Sequence, residues 1–212
     1  MAPGVYKSFR KAWDKNRNKF QYFVHNYGLD NFPNIDIFNN KIVWKVGEEL
    51  SDSDIEDILA NYYDNKNDKD RSKDMLIKMT IEDLEREVYQ AMEAFVHNLN
   101  TLHARAGSQL PFSSINLGTD TSNAGRMVTK NLLLAMEAGL GHGETCIFPI
   151  VIFKVKEGVN YNPEDPNYDL LKLSYRVTGK RLFPNYLYLD SPFNLQYYKP
   201  GHPETECATM GE

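Results

Sequence analysis

Cysteine is nearly absent from this chain: Cys146 and Cys207 are the only two in 212 residues. They have neither metal-ligand spacing nor the density of a secreted scaffold, so zinc-site and disulfide-framework readings fall away. No apolar run approaches the roughly 20 residues of a spanning helix, and the opening MAPGVYKSFRKAW has no apolar signal core. The expectation is a cytoplasmic chain with no membrane partner. A basic surplus is missing too. The 24 Lys and Arg stand against 29 Asp and Glu, leaving a net charge of -5 and a pI near 5.6. Nucleic acid and anionic membranes reward clustered cations, so no nucleic-acid partner is expected, although a nucleotide can still be bound locally. No low-complexity tract occurs.

What is present suits a globular chain: 42% hydrophobic and 25% charged residues in 24.4 kDa, enough for one large domain or a piece of a larger one. Val5, Phe9 and Trp13, then Phe20 and Val24, form a helical stripe among Lys and Arg. Asp30 to Val46 alternates around Asn39-Asn40 and predicts a hairpin. Ser51 with Asp54, and Ser53 with Glu56, have capping-box spacing ahead of a short helix carrying Ile55, Ile58, Leu59 and Tyr62. The wholly polar run Asp64 to Asp74 predicts an exposed loop and a boundary. This divides the chain into residues 1–65, with helix, hairpin and short helix, and residues 66–212, with repeated strand and helix. From Asp74 the positions Leu76, Met79, Leu84, Val88, Met92, Phe95, Leu99 and Leu102 keep a helical period almost to Gly107. His97 and His103 lie on it without a partner four residues on, which leaves them ordinary polar or capping roles.

The organising stretch is Gln109 to Asp120, QLPFSSINLGTD. Gln109 to Leu117 reads as a buried strand whose far end meets a ligand, and Thr119, Asp120, Thr121 and Ser122 are N-cap candidates for a helix from about Asn123 to Ala138. Gly139 and Gly141 stand where a left-handed cap is wanted. Thr145 to Val155 is apolar and β-branched enough for a strand buried on both faces. A proline-punctuated loop, Glu157 to Asn167, precedes a helix from Tyr168 to Leu182 and a strand NYLYLD. Strand, loop and helix in repetition are the grammar of parallel βα units, so the fold class is α/β after an N-terminal helical region.

SSINLGTDTSNAGRMV, LLLAMEAGLGHGET, IFKVKEGVNYNPEDPNYDL, KRLFPNYLYLDSPFNLQYYKPG and ECATMG, together and in this order, resemble the anaerobic, glycyl-radical class of ribonucleoside-triphosphate reductase. A looser likeness reaches back to VYKSFRKAW. The resemblance implies part of a ten-stranded α/β barrel of the ribonucleotide reductase and pyruvate formate-lyase type. It implies reduction of ribonucleoside triphosphates to deoxyribonucleoside triphosphates, with a glycyl radical, a cysteine thiyl radical, formate as reductant, and ATP and deoxynucleotides as effectors. A homodimer and a radical-SAM activase are the implied partners.

In the family the thiyl cysteine follows a Met-Gly pair. Here Met210-Gly211 is followed by Glu212, and nearby Cys207 occupies a position that motif does not use, so no catalytic residue is assigned. Arg176-Val177-Thr178-Gly179-Lys180 resembles the glycyl-radical motif, but Lys180 replaces its tyrosine and the run lies in a helical pattern. The family's zinc cysteines, upstream barrel cysteine and ATP-sensing domain have no counterpart. The chain is therefore expected to be an internal segment, inactive by itself. The alternatives are a nucleotide-binding or dimerising module of a split reductase and a related glycyl-radical enzyme.

By the same resemblance, the loops Gly118 to Gly125 and Lys156 to Asn167 bind the effector nucleotide. Arg126, Lys130 and Lys156 would meet phosphates, and Asp120 or Ser122 would cap a helix or take a ribose hydroxyl. Ser114 and Asn116 either face the substrate ribose or satisfy buried polar groups. No metal site is expected within the segment.

Overall fold

The computed structural model describes residues 2–27, 50–64, 75–102 and 109–210, which fall into two compact units, Met1–Val88 and Tyr89–Glu212. The expected hairpin over Asp30 to Val46 and the boundary in the polar run after Asp64 lie outside the described residues, as do His103 and Glu212.

The first unit holds α1 (Ala2–Tyr27), α2 (Asp52–Asp64) and the first half of α3 (Met75–Thr101). The stripe on α1 buries Val5, Phe9 and Trp13, as its spacing requires, with the rings of Phe9 and Trp13 stacked 6.1 Å apart. The N-terminus of α2 is a reciprocal box: the Ser51 amide donates to the Asp54 carboxylate at 3.1 Å, and the Asp54 amide donates to the Ser51 hydroxyl at 3.2 Å. The second expected box, Ser53 with Glu56, does not form a cap, because Ser53 already lies inside the helix. Asp83 on α3 accepts from Lys15 at 3.0 Å, and that bond is the main reason its carboxyl sits below the usual range.

The second unit is a three-stranded parallel sheet, ordered β1 (Ser114–Leu117), β2 (Ile150–Val155), β3 (Asn185–Tyr188), with α4 (Asn123–Ala138) and α5 (Tyr168–Arg181) as the crossovers. Ser114 pairs with Ile150 and Ile152 with Asn185, so the strands are staggered up the sheet. One side of the sheet is apolar. Phe153 and Val155 pack with Leu133 of α4 and Leu170, Leu171 and Val177 of α5. Val151 packs with Leu132 and Met136 of α4, Val96 of α3 and Cys146. Strand alternation then turns Ser114, Asn116, Ile152 and Lys154 to the opposite face, away from these helices.

Three expectations shift. The strand expected over Gln109 to Leu117 is four residues long and only half-buried, because β1 has a single strand neighbour among the described residues. The strand expected from Thr145 begins at Ile150, and Val151 to Val155 are buried as foreseen. Gly139 has φ 84° with ψ -167°, an extended glycine-only conformation and not the left-handed helical one. A Cβ there would lie 2.5 Å from the carbonyl oxygen of Glu144. The left-handed cap is instead Leu182, after α5, at φ 65° and ψ 16°. A short helix α6 (Pro192–Leu195) and a 3-10 turn (Pro203–Thr205) lead into the tail.

Candidate functional site

Both βα loops leave the same end of the parallel sheet, the carboxyl end, where such folds place their ligands. The loop after β1 opens at Gly118, whose φ of +114° and position 2.8 Å (from an added Cβ) to the carbonyl oxygen of Lys154 admit only glycine. That contact lays the first loop directly on the end of β2. Two fully buried amides then join it to the second loop. Asn160 donates to the carbonyls of Gly118 at 3.0 Å and Lys154 at 2.9 Å, while Asn167 donates to those of Gly118 at 3.0 Å and Asp120 at 2.8 Å. The Asn160 oxygen accepts from the Lys156 amide at 2.9 Å. Residues 118–122 and 156–167 are thus one hydrogen-bonded body, as a shared binding surface requires.

The start of α4 is capped by its own loop. Ser122 is the N-cap and accepts from the Gly125 amide at 3.1 Å. The Asp120 carboxylate accepts from the Ser122 amide at 2.9 Å and its hydroxyl at 2.7 Å, and lies over Gly125, where a Cβ would come within 2.1 Å of it. A negative charge therefore already answers the positive end of the helix. Arg126, one turn in, reaches across to the second loop. It donates to both Asp169 oxygens at 3.1 and 2.9 Å, to the Asn167 side-chain oxygen at 2.6 Å and to the carbonyl of Pro166. Lys130 is exposed one turn further along α4.

On the face turned from the helices, the tail crosses the sheet. The Asn116 amide pairs with the backbone of Thr209, donating to its carbonyl at 2.8 Å and accepting from its N–H at 3.3 Å. Glu206 takes Lys154 on one oxygen at 3.0 Å and Lys156 on the other at 3.1 Å, and Lys156 also sits over the Tyr198 ring, 5.2 Å from its centre. Burial pushes the Glu206 carboxyl up, but the two ammonium partners outweigh it and hold it below the usual range. Beside this cluster is a cavity of about 30 Å³ lined by Lys156, Asp190, Tyr198 and Cys207 among others, room for about a single water.

The remaining candidates are placed elsewhere. Gly179 lies inside α5 with open space around it. Ser114 is half-buried on the same face as Asn116. Among the described residues no three His, Cys, Asp or Glu side chains gather to hold a metal. Sequence reasoning missed Asn160, Asn167, Lys154 and Glu206. The asparagines carried one signal, polar side chains in a proline-punctuated loop; Lys154 carried another, a cation inside an apolar strand.

The family described as "Anaerobic ribonucleoside-triphosphate reductase" matches residues 12–211. A protein of that name from Enterobacteria phage T4 is 34% identical over 170 residues, covering 78% of this chain and 25% of its own length. Proteins of the same name from Escherichia coli and Salmonella typhimurium are 35% and 36% identical, each over 50% of this chain and 15% of theirs. The chain thus spans a quarter or less of the length of these curated relatives. A match over nearly every residue, on a parallel βα sheet with its loops at the carboxyl end, decides kinship: the chain belongs to the anaerobic ribonucleoside-triphosphate reductase family.

Proposed function

We propose that the chain supplies the nucleotide-effector region and part of the barrel wall of an anaerobic reductase that converts ribonucleoside triphosphates to deoxyribonucleoside triphosphates. The observation that carries this is the joining of the two βα loops by Asn160 and Asn167, with Arg126 bridging them, at the sheet's carboxyl end. In this reading Arg126, Lys130 and Lys156 meet the phosphates of a deoxynucleoside triphosphate, Asp120 or Ser122 takes a ribose hydroxyl, and Ser114 and Asn116 stand on the substrate side. The radical chemistry, with formate as reductant and a radical-SAM activase, belongs to a whole enzyme working as a homodimer. The 212 residues alone, holding neither a Met-Gly-Cys run nor a glycyl-radical motif, form no deoxynucleotide.

Arg126 already has a partner in Asp169, so an incoming phosphate competes with that carboxylate. This gives the experiment its discrimination. A deoxynucleoside triphosphate at a hundredfold excess over its Kd should stabilise the chain by about 2.7 kcal/mol, read as a rise in Tm. Arg126→Ala should weaken binding roughly tenfold or more, Asp169→Asn should preserve or strengthen it by freeing the guanidinium, and Lys180→Ala should change nothing. No shift with any deoxynucleotide, or a loss in Asp169→Asn equal to that in Arg126→Ala, overturns the reading.

A further inference from the structure

Two side-chain groups on the face of the sheet turned from the helices hold one short segment of chain. At one end Glu206 is gripped by Lys154 and Lys156, residues two apart at the carboxyl end of β2. At the other, three residues on, Thr209 is held through both backbone groups by the Asn116 amide, which takes the place of a neighbouring strand. Lys154 is buried, and a buried ammonium is retained only with a charged partner. The Glu206 contact is therefore specified by the sheet and not a chance meeting of surface charges. Ile152, between the two grips on the same face, is buried as well.

We propose that Asn116, Lys154 and Lys156 are positioning residues: a two-point clamp that fixes Glu206 to Thr209 across the carboxyl ends of β1 and β2. The role rests on the reading above, in which that face is the substrate side, whereas the clamp itself is a property of this chain. It gives Asn116 the task of holding chain and leaves Ser114 as the substrate-side polar group on β1. It also links the sites, because Lys156 opens the loop 156–167 and grips the tail at once. A ligand that draws Lys156 away leaves Glu206 to Lys154 alone.

Cys207 lies inside the clamped segment and Cys146 in the core, so the two thiols report separately on the clamp and on the fold. The measurement is the rate of thiolate reaction with 4,4′-dithiodipyridine, extrapolated to full ionisation so that changes in thiol acidity drop out. Glu206→Gln and Asn116→Ala should each speed Cys207 on the order of tenfold, the loss of one charge-assisted or buried hydrogen-bonded grip. Glu206→Asp, which keeps the charge, should recover part of the protection. Cys146 should stay slow throughout. An unchanged Cys207 rate in either variant overturns the clamp, and so does a joint rise of both thiols, which marks general destabilisation. Should Glu206→Gln not fold, Asn116→Ala tests the other grip alone. Protection of Cys207 without any deoxynucleotide-induced Tm shift leaves the clamp standing and removes the effector reading; the reverse removes the clamp only.

Discussion

Glu206 is the residue at which charge, burial and position meet, and its acid–base behaviour has a definite sign. Its folded-state pKa lies below the ordinary value of about 4.3 because two ammonium groups favour the carboxylate over the opposing effect of burial. A depressed carboxyl stabilises the fold fully above its unfolded pKa and loses that contribution as pH falls through the folded one. The stability difference between the natural chain and Glu206→Gln should be constant above about pH 5 and shrink below about pH 4. Denaturant unfolding at a series of pH values checks this, and a difference that grows on acidification contradicts it. Other residues carry comparable specificity without titrating. Asn160 and Asn167 each use a fully buried amide to satisfy the Gly118 carbonyl of the other loop, and no sequence period marks such a bond.

Among the elements, α4 shows how one segment's end is completed by another. Its start is closed locally, by Ser122 and Asp120, all within a few residues. Its finish is closed by Arg181, the last residue of α5. The Arg181 guanidinium donates to the carbonyl of Glu137 at 3.0 and 2.8 Å, of Ala138 at 2.9 Å and of Gly143 at 2.8 Å. A cation on the last carbonyls of a helix also faces the negative end of its dipole. Arg181→Ala should therefore cost about 2 to 3 kcal/mol, from lost charge-assisted bonds at a half-buried site, and Arg181→Lys should restore part of it. The urea midpoint is the measurement; equal losses in both variants would show that the fork and not the charge matters, and no loss would refute the cap.

For the molecule as a whole, the sheet sets the expectation. β1 and β3 each have one strand neighbour among the described residues, and Phe112, Ile147 and Leu182 are exposed. Free strand edges and apolar side chains favour association. The isolated chain should sediment as a dimer or larger species at micromolar concentration, and a monodisperse monomer would contradict this. No helix among the described residues is long and apolar enough to cross a membrane.

By itself the sequence determined what depends on neighbours within a turn or a strand. The stripe on α1, the Ser51–Asp54 box, the bounds of α4 and α5, and the parallel βα order were legible because side-chain period and capping are local chemistry. That the loops after β1 and β2 leave the same end of the sheet was legible for the same reason, since strand direction decides where loops emerge. Tertiary structure alone decided what those loops do to each other and to the tail. The Asn160 and Asn167 bridges between the loops, the engagement of Arg126 by Asp169, and the grip of Lys154 and Lys156 on Glu206 join residues 42 to 52 positions apart. Such contacts repay the entropy of ordering long loops only once the sheet has brought their partners together, so no local pattern in the chain announces them.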